Sequence, residues 1–247
     1  MKILSAIVAH DGRIATLQQV IDSALKVDMI VDLEIFCFDT EKKTIKLGEK
    51  NNLKINSFKR PETDRSKLSC SYWNIATGMM ENELMHLSFL RNKVLDIAIN
   101  YDSVFFIDSD VIIPKNGLRI LVESDSDIAM GWYFHKRLPS AGVNFEGYTP
   151  EKEDECATNR DVVNGLSGGN GCVLVKKNVY ENIKYNLYNG VKAEDVEYYR
   201  KAIDAGFKIK IDFGVHCDHL GNDWKPKAKE FAIKKSKLWN VKTPSFK

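Results

Sequence analysis

The sequence predicts an α/β fold built on a parallel sheet, and three observations carry that expectation. A strand, a helix and a strand follow one another between residues 3 and 38. A further strand at 103–107 is preceded by an amphipathic helix at 86–98. Further apolar strands at 128–134, 171–175 and 207–213 alternate with helical stretches at 117–123 and 193–205. Strands that alternate with helices form crossover units, and crossovers join parallel strands.

Each element has a local reason. Residues 3–9 (I-L-S-A-I-V-A) are a short apolar run, as expected of a strand covered on both faces, and Asp11-Gly12 ends it. In 13–27, Ile14, Leu17, Ile21, Ala24 and Leu25 share one helical stripe. Residues 30–38 (I-V-D-L-E-I-F-C-F) form the second strand, ending at Asp39. Between 40 and 85 the pattern is weak: Leu53-Lys54-Ile55 is a short third strand, and the polar stretch 59–74 reads as a long, functional loop. In 86–98, Leu87, Leu90, Val94, Leu95 and Ala98 share a face that also carries Arg91. The strand 103–107 (S-V-F-F-I) runs straight into Asp108-Ser109-Asp110, and Gly206 stops the helix at 193–205.

Composition narrows the class. The chain has 247 residues, 44% hydrophobic and 28% charged, which is ordinary globular composition with enough chain for a core. The net charge of +2 lacks the basic excess of a dedicated nucleic-acid binder. Five scattered cysteines without a C-x-x-C read as reduced thiols. The N-terminal apolar run is too short for a signal peptide, and no stretch approaches the ~20 apolar residues of a membrane span. A soluble, cytoplasmic protein is the expectation.

The chemistry centres on Asp108-Ser109-Asp110. In such sheets ligands bind beyond the carboxyl ends of the strands. Two carboxylates there repel unless a cation lies between them, and a hard divalent ion sharing a diphosphate is the natural partner. The competing reading is a solvated turn. His216-Cys217-Asp218-His219 follows the last strand, and one of its imidazoles is a candidate third ligand. Glu194-Asp195 opens a helix, where carboxylates favour the dipole; a general base is the functional alternative. Gly168, Gly169 and Gly171 either make a turn or let backbone approach a ligand. Arg91, on an apolar helix face, must reach water, an anion or a buried carboxylate.

In this order the segments resemble GT-A fold glycosyltransferases, in particular family-2-like enzymes, over roughly residues 3–221. V-F-F-I-D-S-D-V-I-I-P is similar to the D-x-D strand, L-R-N-K-V-L-D-I-A at 90–98 to the helix before it, and M-G-W-Y-F-H-K-R at 130–137 to the strand after it. N-G-L-S-G-G-N-G-C-V-L-V at 164–175 resembles the acceptor-side loop, A-E-D-V-E-Y-Y-R-K-A-I-D-A-G-F at 193–207 the E-D helix, and H-C-D-H-L-G at 216–221 the His-x-Gly-type ending.

The resemblance implies a single GT-A domain over 1–222, with a Rossmann-like, mostly parallel central sheet flanked by helices; the lysine-rich residues 223–247 read as a basic C-terminal tail or helix. It implies Mn2+ or Mg2+ held by Asp108, Asp110 and His219. Asp39, Arg91, Asp108 and His10 would bind nucleotide. Asp195 would be the catalytic base with Glu194 as its substrate-binding neighbour, and Trp132, Gly168 and Gly169 would line the acceptor or donor-sugar pocket. The implied reaction moves a sugar from a nucleoside-diphosphate sugar to a hydroxyl of a glycan, lipid-linked or protein acceptor, with inversion, as a hexosyltransferase. The loop A-H-D-G-R after the first strand departs from the Thr- or Pro-containing loop common in the family, and the 59–85 stretch is longer than expected.

Two other functions fit parts of the pattern. A haloacid-dehalogenase-type, magnesium-dependent phosphatase also places D-x-D after an apolar strand, though usually at the first strand. A nucleotide-sugar-binding module without catalysis would keep the metal residues but not the base. The tail mixes lysines with Trp224, Phe231, Ile233, Leu238 and Trp239. It reads either as a surface helix for peripheral contact with anionic membrane or as a helix packed over the domain.

Overall fold

The computed structural model describes residues 1–62, 81–186, 194–221 and 223–246, with side chains from residue 85 in the segment that resumes at Glu81. Most of the loop expected over 59–74 lies outside the described residues, as does Cys70.

The strands are β1 (Ile3–Val8), β2 (Asp32–Phe38), β3 (Lys54–Phe58), β4 (Ser103–Asp108), β5 (Val111–Ile112), β6 (Ile128–Trp132), β7 (Val143–Phe145), β8 (Val162–Gly168), β9 (Cys172–Lys176), β10 (Ile209–His216) and β11 (Asp218–His219). The helices are α1 (Ile14–Ala24), α2 (Lys42–Lys50), α3 (Glu81–Ile97), α4 (Gly117–Glu123), α5 (Pro150–Asn159), α6 (Lys177–Tyr180), α7 (Glu194–Asp204) and α8 (Pro226–Leu238).

One sheet runs in the order β3-β2-β1-β4-β9-β6-β10-β8-β7, and β5 and β11 form a separate two-stranded ladder. The strands β1 to β4 are mutually parallel, and β10 is parallel to β6. The strand β9 runs antiparallel between β4 and β6, and β8 runs antiparallel between β10 and β7. The sheet is therefore mostly parallel, as expected.

Alternation along the strands builds two cores. Ile3, Ile7, Ile35, Phe105 and Ile107 face α1 and α4 with Leu17, Ile21 and Leu121. Leu4, Ala6, Val8, Phe36, Val104 and Phe106 face the other side with Leu90, Val94 and Leu95 of α3. A strand buried on both faces needs apolar residues at successive positions, which is why these segments were legible as unbroken runs.

Among the elements that escaped sequence reading are two helices and a strand. The helix α2 is lysine-rich and buries only Thr44 and Gly48. A Cβ at Gly48 would come within 2.9 Å of Ile55, so close packing replaces an apolar stripe. The helix α5 starts with Thr149, whose side chain accepts from the Lys152 N–H, and with Pro150 in its first turn. The segment 162–168, expected as a glycine-bearing loop, is the strand β8. Gly165 allows Ile209 and Ile211 of the neighbouring β10 to pack within 3.0–3.1 Å of where its Cβ would stand.

The C-terminal helix α8 packs over the domain. Ala228, Ala232 and Ser236 are buried along it, and Trp239 stacks on Phe134 with ring centroids 5.4 Å apart. Lys227, Lys229, Lys234 and Lys237 face outward. Among the described residues, no helix is long and apolar enough to cross a membrane. The described cysteines Cys37, Cys156, Cys172 and Cys217 are free and buried.

Candidate active site

The carboxyl ends of β1, β2, β4 and β6 open onto one cleft of about 570 Å3, a size suited to a small-molecule ligand. Residues just beyond those ends line it: His10, Glu41, Asp108, Asp110, and Tyr133 with the chain that follows. Gly168, Gly169, Asn170 and the start of α7 form the opposite wall.

Arg91 reaches the cleft floor from α3. Its guanidinium is buried, donates from Nη1 to Glu194 Oε1, and donates from Nη2 to Asp108 Oδ1 at 3.3 Å. Burial works against its charge, but Glu194 and Asp108 outweigh it and push the pKa up. The open alternatives for Arg91 thus meet in one arrangement, a buried ion pair that also lines the cleft. Asp108 thus faces Arg91 through Oδ1, whereas Asp110 faces other partners.

Asp195 follows Glu194 in the first turn of α7 and is half-buried at the cleft wall. Burial and the adjacent Glu194 charge push its carboxyl up to about 7, with Arg91 opposing. A carboxylate poised near neutrality is suited to taking a proton during catalysis.

Asp110 is buried, and its two oxygens face different partners. Oδ2 accepts from Lys136 Nζ at 2.6 Å and lies 3.4 Å from Arg13 Nε. Oδ1 lies 3.6 Å from His219 Nε2. Burial would raise this carboxyl, but His219, Lys136 and Arg13 hold it well below the usual carboxylate range. The ladder of β11 with β5 pairs His219 with Val111, and the Leu220 N–H donates to Asp110 O at 2.7 Å, so backbone bonds fix His219 beside the carboxylate.

Whether these residues suit a divalent cation can be tested on the imidazole. His219 Nδ1 is 3.1 Å from Phe134 O. A carbonyl only accepts, so Nδ1 donates to Phe134 O, and Nε2 is the ring nitrogen left to face Asp110. This is the outer-shell arrangement typical of a metal-binding histidine. Asp110 Oδ1 and His219 Nε2 fit as two donors to an ion that takes its other ligands from phosphate and water. Among the described residues, no group of three His, Cys, Asp or Glu side chains is placed to hold a metal, and Asp108, the third residue of the expected set, faces Arg91.

The glycines of the opposite wall are there for close approach. A Cβ at Gly169 would stand 2.0 Å from the Tyr133 hydroxyl, and that hydroxyl accepts from the Gly171 N–H at 3.3 Å. His10 lines the cleft, its Nδ1 accepting from the Gly12 N–H at 3.2 Å. Other expected residues do not face it. Asp39 is exposed and lies off the cleft; Glu41, two residues on, lines it and pairs with Arg60 at 2.6 Å. Trp132 is fully buried and donates from Nε1 to Phe213 O at 2.9 Å, so it belongs to the core, while Tyr133 lines the cleft. His216 packs on Trp132 at 4.4 Å, and burial pushes its pKa down to about 4.

Sequence reading missed Arg13, Lys136, Arg137 and Asp223, which all line the cleft. The signal for Lys136-Arg137 was present: charged residues directly after an apolar strand, in the position that singled out the Asp pair.

No protein-family model and no curated protein matches the sequence. Solved structures match its fold. A197 from STIV is similar over 90% of this chain and 87% of its own, with 15% identity and a TM-score of 0.54. S. aureus TarS 1-349 in complex with UDP is similar over 97% and 70%, with 16% identity and a TM-score of 0.57. GalNAc-T7, crystallised with UDP, GalNAc and Mn2+, is similar over 96% of this chain at 14% identity and a TM-score of 0.57; this chain spans 48% of that one. The fold is the GT-A fold of glycosyltransferases. With it, the haloacid-dehalogenase alternative loses its basis.

Proposed function

We propose that the protein is a glycosyltransferase that moves a hexosyl group from a nucleoside-diphosphate sugar to an acceptor hydroxyl with inversion. The observation that carries this reading is the placement of Asp195 beside Glu194 in the same cleft as the strand-end acids Asp108 and Asp110, where burial and the Glu194 charge raise its carboxyl. It also favours catalysis over a binding module, since binding alone has no use for a poised base. TarS and GalNAc-T7 were crystallised with UDP, which supports a nucleotide donor.

In this reading the diphosphate lies over Asp110 and His219, and the nucleoside extends toward His10, Glu41 and Arg60. Asp110 and His219 would hold Mn2+ or Mg2+, which would offset the charge that grows on the leaving diphosphate. Arg91 fixes Glu194 and Asp108, so the start of α7 keeps its orientation as ligands enter and leave. Asp195 takes the acceptor's proton as the hydroxyl attacks the anomeric carbon and the bond to the diphosphate breaks. Attack from the face opposite the leaving group inverts that carbon. Tyr133 and Gly168-Gly169 border the sugar, and their close contact leaves space for it only on the open side. Free buried thiols support a reducing, cytoplasmic setting, and a glycan, lipid-linked or protein acceptor remains compatible with the open cleft.

The test is transfer from UDP-sugars to a panel of hydroxyl acceptors, with Mn2+ and with EDTA. Asp195→Asn should keep UDP affinity and lower transfer by ~10²–10⁴-fold, the usual contribution of a general base. Transfer by the variant at the native rate would remove Asp195 from the chemistry, and no turnover or binding of any sugar nucleotide would overturn the reading.

A further inference from the structure

A second knot of charge at the cleft mouth takes no part in proton transfer. Lys136 is buried at 4% exposure, and an unpaired ammonium could not remain there. Its Nζ donates to Asp110 Oδ2 at 2.6 Å and to Leu220 O at 2.8 Å, and it lies 3.3 Å from Asp223 Oδ1. The other oxygen of Asp223 lies 3.4 Å from Arg13 Nη2 and 3.9 Å from Arg137 Nη2. One carboxylate is thus clasped by three cations drawn from two separate strand ends. Asp110 is the only other acid in contact with these cations among the described residues.

The surroundings hold this clasp in place. His135 Nδ1 accepts from the N–H groups of Arg137 and Leu138, each at 3.0 Å, and so shapes the turn that presents Lys136 and Arg137. On the other side, Leu220 N–H bonds Asp110 O at 2.7 Å and Lys225 N–H bonds Lys136 O at 2.9 Å. Asp223 therefore lies between two anchored points. Gly221 makes its approach feasible, with φ at 129° and a would-be Cβ only 2.9 Å from Asp223 Oδ1 and 3.2 Å from Lys136 Nζ. Asp223, Arg13 and Arg137 each keep roughly a third of their side-chain surface open, at 31%, 30% and 26%, so the carboxylate occupies the mouth and can be replaced from solvent.

A carboxylate and a phosphate oxygen seek the same donors, and guanidinium groups serve either. We propose that Lys136, Arg13 and Arg137 form an oxyanion site for the diphosphate of the donor, and that Asp223 fills it as a built-in competitor until the diphosphate displaces it. Naming the anion as the donor's diphosphate rests on the glycosyltransferase reading; the oxyanion site itself does not. Displacement leaves Lys136 with Asp110 and the Leu220 carbonyl, so its ammonium stays paired throughout.

The experiment is calorimetric titration of the full chain with inorganic pyrophosphate and with UDP, each in EDTA and in Mn2+. Asp223→Ala removes the competitor and should tighten pyrophosphate binding by roughly tenfold, the scale of one charge-assisted hydrogen bond. Lys136→Met should weaken it by a similar factor, and the more exposed Arg137→Gln by less. These opposite signs should persist in EDTA. Should Lys136→Met fail to fold, Arg13→Gln and Arg137→Gln carry the same comparison. Pyrophosphate affinity unchanged, or weakened, in Asp223→Ala overturns the proposal. UDP binding that is equal in all the variants overturns it while sparing the glycosyltransferase reading. Pyrophosphate responding as stated, with UDP bound no more tightly than pyrophosphate, upholds the oxyanion site and removes the nucleotide donor.

Discussion

Asp195 links a residue's surroundings to a measurable pH dependence. The groups that face it are Glu194, Arg91, Asp108, Tyr133 and Tyr199. Burial and Glu194 raise its pKa from 3.8 to about 7. A general base works when ionised, so transfer should fall with decreasing pH below about 7 and level off above it; a flat profile between pH 5 and 8 would contradict this. Stability runs the other way. Between about pH 4 and 7 the folded chain holds a proton that the unfolded chain has lost, so this group's contribution is present at low pH and declines as pH rises through the window. Asp195→Asn lacks that decline, and its melting temperature relative to the native protein should therefore increase from pH 4 to pH 7.

At the scale of elements, the turn between β8 and β9 shapes one wall of the cleft. Gly168 ends a strand against Met130, and Gly169 lies under the Tyr133 hydroxyl. Gly169→Ala would force the tyrosine or the turn to move, at a cost of about 1–3 kcal/mol typical of overpacking. A lower denaturation midpoint, partly restored by adding Tyr133→Phe, is the expected result; no change in the midpoint would show that the turn yields freely. The glycines were visible in the sequence, but their partner was not, because Tyr133 lies 36 positions away and meets them only through the pairing of β6 with β9.

Across the whole molecule, the C-terminal helix α8 is part of what holds the fold. Trp239 packs on Phe134 and Trp132, its indole N–H donates to Asp154 Oδ1 at 2.8 Å, and Lys235 pairs with the same carboxylate. Trp239→Ala should cost about 3–5 kcal/mol, the range for removing a buried large aromatic. A melting temperature within a degree of native would instead leave the helix as a loosely attached cover. The irregular apolar spacing that made this helix hard to read follows from its task. Only Ala228, Ala232, Ser236 and Trp239 are buried, a narrow stripe that accommodates lysines on every other side.

What the sequence determined by itself is the part of the protein governed by local pattern. Apolar runs buried on both faces marked β1, β2, β4, β6 and β9, helical stripes marked α1 and α3, and carboxylates at the end of β4 marked the site, because each signal is complete within a few residues. The tertiary structure alone decided who meets whom. It set Arg91 between Glu194 and Asp108, across 103 and 17 positions, and it turned Asp110 to Lys136 and His219. It set Glu41 and Tyr133, and not Asp39 or Trp132, along the cleft wall. It also raised the pKa of Asp195. These outcomes depend on distances and on exclusion of water, and both exist only once the sheet has brought remote strand ends together.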